Sequence, residues 1–259
     1  LQMEKKEDPV YALRTTTSVY MSFLSSLLQQ QSSDSVQPIQ INLQRLCALA
    51  KEGVCQQKIL FEEEDRIKHC LEIPAVQSLF LKNDIFQKDT ECENCYSFIH
   101  LSFQEFFAAM FYVLRENEET AEHTENPGRA VTSLLEASRT QKHLMLTVHF
   151  LFGLLSKETQ NDMEKIFTLK IKSDIKPALL QWIKGEMKQD FSSVNNEQMG
   201  LFHCLYEIQD EEFVKSATEH VKQIGVSKHS LGREINVIDS RAVIFCLKNS
   251  PGVEKVALK

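Results

Sequence analysis

One histidine occupies the position in this sequence that is best suited to chemistry. His100 stands between a short run rich in aromatic and β-branched residues, "YSFI", and a very apolar stretch, "LSFQEFFAAMFYVL". A junction of strand and helix fixes the backbone while it exposes one side chain. An imidazole titrates near neutral pH and can donate a hydrogen bond to a phosphate oxygen. Taken alone, the pattern still favours a histidine that packs or caps over one that binds a ligand.

The other residues capable of chemistry form weaker patterns. Cys92 and Cys95 make a C-x-x-C motif without a second ligand pair and without a thioredoxin-like setting, so we expect two free loop cysteines and no metal. Successive helical residues point about 100° apart, so the acidic run 62–65 predicts a solvated helix start rather than a metal site. His149 and His203 lie in amphipathic segments, where we expect packed or partly exposed side chains.

Motifs for catalysis and for phosphate binding are missing from the 259 residues. The sequence has only eight glycines and contains neither the P-loop pattern G-x-x-x-x-G-K-[ST] nor G-x-G-x-x-G. It also lacks G-x-S-x-G and H-E-x-x-H. We therefore expect no catalytic residue in this chain and no ATP hydrolysis by the chain alone.

Composition narrows the class of protein. The net charge of -7 and the lack of a Lys/Arg block argue against nucleic-acid binding. No apolar run reaches the roughly 18–20 residues that a membrane span needs. Seven cysteines without a secretory signal predict free, mostly buried thiols in a reducing compartment, the cytoplasm. Because the first residue is not Met and the last ones read as a β-like run, we expect a piece of a longer protein.

The first 115 residues predict a small winged-helix domain. "TTTSVYMSFLSSLLQQQ" indicates a helix with cap oxygens at 15–17. A loop is expected at 29–40, followed by a helix "INLQRLCALAKEGV" that stops at Gly53, a short strand "KILF" and a helix "EEEDRIKHCL". "AVQSLFLKNDIFQKD" is ambiguous, "YSFIH" reads as a strand, and Ser102 with Glu105 matches a capping box that opens a buried helix 102–114. The expected apolar face of the first helix consists of Val19, Phe23, Leu24, Leu27 and Leu28.

The remaining residues predict a compact helical domain. "RENEETAEHTENPG" has the composition of a linker, and apolar residues recur at helical spacing in the segments that follow it. The end of the chain mixes a short helix with "VEKVAL". The expected helical segments are "AVTSLLEASRT", "KHLMLTVHFLFGLLSK", "TQNDMEKIFTLKI", "IKPALLQWIKGEMKQ", "QMGLFHCLYEIQ" and "EEFVKSATEHVKQI".

Several of these stretches resemble one known family over nearly the whole chain. The run "ILFEEEDRIKHCL", "NDIFQKD" and "YSFIHLSFQEFFAAMFYVL" is similar to the winged-helix domain of the NLRP proteins, the pyrin-domain branch of the NOD-like receptors. "TTTSVYMSFLSSLL" and "LQRLCALAKEGV" resemble the opening helices of that domain. "FLFGLLSKE", "LLQWIK" and "LFHCLYEIQDEEFV" resemble the second helical domain, and "VIFCLKNSPGVEKVALK" resembles the passage into leucine-rich repeats.

The resemblance implies a mainly α fold with a fixed order of domains. Residues 1–11 would end a preceding helical domain or linker, 12–115 would form the winged helix and 116–228 an all-helical second domain. Residues 229–259 would lead into leucine-rich repeats.

The family also implies a function, that of a STAND-type nucleotide-gated switch. An upstream NACHT domain holds ADP or ATP with Mg, the winged helix closes over ADP, and exchange for ATP permits assembly into a homo-oligomer or with other scaffold proteins. His100 matches the histidine that reaches the ADP phosphate. Inflammasome signalling and a germ-cell or early-embryo role are both open. The alternative is a nucleotide-independent interaction module of a cytoplasmic scaffold, in which His100 merely packs.

Overall fold

The computed structural model describes residues 15–29, 36–71, 79–88, 91–114 and 127–258. The expected end of a preceding domain at residues 1–11 and the acidic part of the expected linker, 115–126, lie outside these ranges. The described chain is mainly helical and contains a winged helix followed by a helical domain, so the predicted fold class is confirmed.

In the described residues, the winged helix contains helices packed around a three-stranded antiparallel sheet. The strand order is β1-β3-β2, with Phe61 opposite Tyr96 and Leu81 opposite Phe98. Its elements are α1 (Thr16–Gln29), α2 (Val36–Gln56), β1 (Phe61–Glu62), α3 (Glu63–Lys68), β2 (Leu81–Lys88), β3 (Glu91–Phe98) and α4 (Leu101–Val113).

Helix α4 is the centre of the core, as its uniformly apolar sequence predicted. Phe106 and Phe107 are fully buried, which confirms the core assignment. Phe107 packs against Phe80 of the winged helix, with ring centroids 4.9 Å apart, whereas Phe106 packs at 5.2 Å against Phe150 of the second domain. One helix therefore contributes to the packing of both domains.

The predicted bounds of the first two helices need correction. Residues 36–40, expected in a loop, are the first residues of α2, and Gly53 lies inside this helix rather than at its end. A Cβ at Gly53 would lie 2.5 Å from the Phe61 ring and 2.9 Å from the Lys58 carbonyl oxygen. Close packing is thus the reason for this glycine, and helix termination is not.

The predicted apolar face of α1 is wrong in part. Val19 and Phe23 are 48% and 41% exposed, whereas Met21, Leu24 and Leu28 are buried. The buried stripe begins at Thr17 and repeats at spacings of four, three and four, which is helical periodicity on a neighbouring face.

The predicted bounds of two strands also need correction. The strand that contains "YSFIH" ends at Phe98, and only Phe61 of "KILF" lies in a strand.

The second domain consists of packed helices joined by short connections. Pro127, expected in the linker, occupies the first position of a helix, where its missing N–H costs nothing. The domain contains α5 (Pro127–Ser138), a 3₁₀ turn (Lys142–Leu144), α6 (Met145–Leu154), α7 (Lys157–Phe167), α8 (Ile175–Glu186), α9 (Asn196–Glu207) and α10 (Glu211–Ala217).

The last predicted helix of this domain continues differently from the expectation. It ends at Ala217, and Gln223–Val226 forms strand β4, which pairs in parallel with β5 (Lys255–Leu258). Helices α11 (Lys228–Leu231) and α12 (Val237–Lys248) connect the two strands. Gly225 explains the strand: its N–H donates to the Phe191 carbonyl and its carbonyl accepts from the Val194 N–H, both at 2.7 Å. The all-helical description therefore fails at 223–226.

A buried carboxylate joins the two domains at the N-terminus of α1. Glu207, at the end of α9, is 5% exposed. Its Oε1 accepts from the Thr16 N–H at 2.9 Å, and its Oε2 accepts from the Thr17 N–H at 3.0 Å and from the Thr17 hydroxyl at 2.6 Å. Thr15 caps the same helix by accepting from the Ser18 N–H at 3.1 Å, which confirms the predicted cap. A negative charge here satisfies orphan amides and favours the helix dipole.

This junction leaves no room at Gly153, and we expect Gly153→Ala to be strongly destabilising. The added Cβ would lie 2.5 Å from Thr17 Cβ and 2.9 Å from Glu207 Oε2, so the carboxylate contact must shift. Overpacking of this kind costs about 1–3 kcal/mol. Thermal and urea unfolding of the variant measures the loss.

Gly185→Ala is the matched control. Gly185 is also a helical glycine, but a Cβ there meets nothing within 4 Å. Alanine is favoured over glycine in a helix interior by roughly 0.8–1.0 kcal/mol, so this variant should be neutral or stabilised. Equal effects of the two substitutions would contradict the close packing at Gly153.

Candidate functional site

His100 lies at the junction of β3 and α4, where it is exposed. It is the N-cap residue of α4, with an extended backbone (φ -154°, ψ 143°), and its side chain accepts a hydrogen bond from the Ser102 N–H. The distance from Ser102 N to His100 Nδ1 is 3.2 Å. The histidine thus replaces the usual Ser, Thr, Asp or Asn side chain as the acceptor that satisfies the first turn of the helix.

The predicted capping box of Ser102 and Glu105 is therefore wrong. Ser102 is the second residue of α4 and not its N-cap, so Glu105 stands two residues beyond the position from which a side chain reaches back to the cap amide. Burial raises the pKa of Glu105 to about 7, opposite to the direction expected for a carboxylate that caps a helix.

The hydrogen bonds at Nδ1 determine the tautomer of His100. A backbone N–H can only donate, so Nδ1 must accept, and a neutral ring then carries its proton on Nε2. Ser102 Oγ lies 2.5 Å from Nδ1. Because Nδ1 accepts, the serine must give its one hydrogen to the ring, so the Tyr20 hydroxyl, which contacts the same oxygen, is the donor in that contact. The site therefore presents the Nε2–H group as a donor, on the side of the ring that Ser102 does not contact.

Apolar side chains are exposed around this donor. Leu101, beside His100, is 52% exposed, and Phe23 and Val19 of α1 are exposed on the neighbouring helix. Phe23 contacts Phe103 at a centroid distance of 5.2 Å, which brings α1 close to the start of α4. A donor at a helix N-terminus that is surrounded by exposed apolar side chains is suited to bind an anionic group carried by another protein surface.

The other predicted groups have structural roles. Cys92 and Cys95 lie within strand β3, so the prediction of a loop is wrong. Glu62 is the N-cap of α3 and Asp65 reaches back to its N–H at 2.7 Å, which confirms the helix start at the acidic run. Lys58 binds Asp65 at 2.6 Å. No cluster of three or more His, Cys, Asp or Glu suited to a metal occurs in the described ranges.

Cysteines are free thiols wherever their side chains are described. Burial raises the pKa of the Cys47, Cys204 and Cys246 thiols, which makes them unreactive. Four of the six described thiols are buried, as expected, whereas Cys55 and Cys70 are exposed. The expectation that Cys92 and Cys95 hold no metal stays a prediction.

His149 and His203 line a cavity of about 480 Å³ in the second domain. Their ring centroids are 5.8 Å apart. His203 Nε2 lies 2.9 Å from Asp239 Oδ1, and Arg233 binds the same carboxylate. Burial opposes the charge of Asp239, but the hydrogen bonds from Arg233, the Asn236 N–H and His203 lower its pKa to about 2. Both histidines are packed helix residues, as expected.

His149 differs from His203 in having an unsatisfied nitrogen. Its Nε2 is buried and has no hydrogen-bond partner within the described part of the chain. Burial, and next the charge on nearby His203, lower the pKa of His149 to about 4. The ring is therefore neutral at physiological pH.

Two family models assign the two parts of this fold to one class of protein, the NOD-like receptors. The family model described as NOD2 winged helix domain matches residues 42–98, and the one described as NLRC4 helical domain HD2 matches residues 100–216. These models match the two parts of the structure in the order in which they occur. The chain belongs to the NLRP branch of this class and carries its winged-helix and second helical domains.

Curated relatives agree with this assignment. The chain is 47% identical to human NACHT, LRR and PYD domains-containing protein 12 over 238 residues, which cover 91% of this chain and 21% of the relative. It is 39% identical to human NACHT, LRR and PYD domains-containing protein 3 over 267 residues, or 99% of this chain and 25% of the relative. The chain thus spans between a fifth and a quarter of the length of these relatives. None of the helices described in the structure is long and apolar enough to cross a membrane.

We expect the neutral, buried His149 to make stability depend on pH. The unfolded ring binds a proton below its ordinary pKa of 6.5, whereas the folded ring does so only near 4. Folded stability is thus complete above pH 6.5 and falls by about 1.4 kcal/mol per pH unit as the pH drops toward 4. Urea unfolding of the wild type and of His149→Phe between pH 4.5 and 7.5 measures the difference.

The comparison with His149→Phe isolates one group. The raised pKa of Glu105 makes stability fall with rising pH, and this opposite effect is common to both proteins, so it cancels in the difference. The wild type should lose stability relative to the variant only on the acid side of pH 6.5. Parallel pH profiles for the two proteins would show that His149 has the same pKa in the folded and in the unfolded state.

Proposed function

We propose that this chain is the regulatory part of a nucleotide-gated switch, in which the winged helix closes over ADP held by an upstream NACHT domain. The observation that carries the proposal is the exposed His100 ring, held through Nδ1 so that Nε2–H is its outward donor. The resemblance of the chain to the NLRP winged helix supports a phosphate oxygen of ADP as the acceptor for this donor.

The surface beside His100 fits such a closure. Exposed Leu101, Val19 and Phe23 offer apolar area that an adjoining domain would remove from water at roughly 25 cal/mol per Å². A contact of this kind holds two domains together, while the single hydrogen bond of His100 makes the association depend on the nucleotide. Loss of the diphosphate contact then favours the open state by the same free energy.

The cofactor and partners follow from the family. ADP or ATP with Mg is bound mainly by residues of the NACHT domain, and hydrolysis, where it occurs, belongs to the complete protein. The NACHT and leucine-rich-repeat domains are the intramolecular partners of this chain. Opening allows assembly into a homo-oligomer or with cytoplasmic scaffold proteins, in inflammasome signalling or in a germ-cell or early-embryo role.

We expect His100→Ala in the complete protein to accelerate ADP release roughly 10- to 100-fold. A hydrogen bond to a charged group contributes about 1.5–3 kcal/mol, and 1.4 kcal/mol corresponds to one decade. Dissociation of a fluorescent ADP analogue measures the rate, and the melting temperature is recorded on the same sample. His220→Ala, at another exposed histidine, is the control and should leave ADP release unchanged.

His100→Asn separates nucleotide binding from helix capping. Asparagine is a good N-cap residue and can accept from the Ser102 N–H, but its shorter side chain carries no donor at the position of Nε2. This variant should keep the wild-type melting temperature and still release ADP quickly. Unchanged ADP release in both variants, with a lower melting temperature for His100→Ala alone, would reduce His100 to a cap and favour the nucleotide-independent interaction module.

A further inference from the structure

We infer that Tyr20 and Glu207 are positioning residues for His100, and that the second helical domain controls through them how the histidine presents its donor. The relevance of this control to ADP rests on the proposed function. We call the series of contacts that runs from Glu207 through α1 and Tyr20 to Ser102 and His100 the relay. Its geometry is given by contacts between the winged helix and the second domain.

The near end of the relay is the hydroxyl of Tyr20. It donates to Ser102 Oγ, which in turn donates to His100 Nδ1 at 2.5 Å. Because the serine oxygen accepts from Tyr20, its own hydrogen is directed toward the histidine, and two donors of Ser102, Oγ–H and N–H, then share the lone pair of Nδ1. Tyr20 therefore favours the tautomer in which Nε2 carries the proton.

The far end of the relay is the carboxylate of Glu207. It binds the N–H groups of Thr16 and Thr17 and the Thr17 hydroxyl, and so it fixes the first turn of α1. Tyr20 stands one turn further along the same helix, about 6 Å in axial rise from Thr16. A movement of this end of the helix relative to α9 must displace the tyrosine hydroxyl.

The ring of Tyr20 is also held by both domains. It packs against Phe103 of α4 at a centroid distance of 4.8 Å and against Phe150 of α6 at 4.9 Å. The tyrosine thus sits between the helix that begins at His100 and a helix of the second domain. A rearrangement of the second domain changes the environment of the Tyr20 ring, while its hydroxyl is bonded to Ser102, the partner of His100.

The tautomer of His100 gives a direct test that needs no nucleotide. We expect ¹⁵N NMR of histidine-labelled 259-residue chain, whose buried core is continuous across both domains, to show a protonated Nε2 and an acceptor Nδ1 at His100. Tyr20→Phe keeps the ring and removes the hydroxyl, so it should move the Nδ1 and Nε2 signals toward a mixture of tautomers. Tyr96→Phe, which removes a hydroxyl bonded to Glu63, is the matched control and should leave them unchanged.

Glu207→Gln tests the contribution of the second domain. The amide keeps the size of the side chain but loses the charge and one acceptor, so the start of α1 should shift and the His100 signals should change in the same direction as in Tyr20→Phe. Asp239→Asn removes another buried acid, one that binds Arg233 and His203 at a distance from the relay. It should lower the melting temperature without altering the His100 signals.

The effect on nucleotide is measured in the complete protein. A net hydrogen bond of about 0.5–1.5 kcal/mol predicts roughly two- to tenfold faster ADP release in Tyr20→Phe, with no further acceleration when His100 is already alanine. If the His100 signals stay unchanged in both Tyr20→Phe and Glu207→Gln, the relay is wrong. If those signals respond but His100→Ala releases ADP normally, the relay stands and the proposed nucleotide contact fails.

Discussion

Burial of helix α4 is the constraint on which the rest of the structure depends. Its two central phenylalanines face different domains, Phe107 toward the winged-helix sheet and Phe106 toward Phe150. The first residue before this helix is His100, whose backbone is extended because a strand ends just before it. The position of the exposed histidine is therefore set by a tightly packed helix that begins at the next residue.

Local sequence patterns were sufficient to predict the helices and strands and to single out His100. They were not sufficient to predict the residues at which the helices and strands begin and end. The strand and apolar helix on either side of His100 are strong local signals, and both were predicted. Helix α2 starts five residues before its expected start, at Val36, and it passes through Gly53, because tertiary packing against Phe61 overrides the usual preference of glycine for helix ends. The S-x-x-E pattern at Ser102 misled for a related reason, since the histidine two residues earlier already satisfies the amide of Ser102.

The contacts that orient the site were beyond the reach of sequence reasoning. Tyr20 and Ser102 are separated by 82 residues, and Thr17 and Glu207 by 190. Such partners have no spacing that a periodic pattern could reveal, and an acid near a helix C-terminus looks unfavourable until the helix that it caps is known. Gly153 comes closest to a sequence signal for these contacts, because a glycine within an apolar helix indicates a close packing contact at that position.

The two edges of strand β4 have different partners, and this determines where further strands could pair with the sheet. One edge of this strand is occupied, since Gly225 exchanges hydrogen bonds with Phe191 and Val194, and its other edge pairs with β5. Any further strand could therefore pair with this sheet only along β5. The helical domain thus closes one edge of the sheet to strand addition, and the remaining edge belongs to β5.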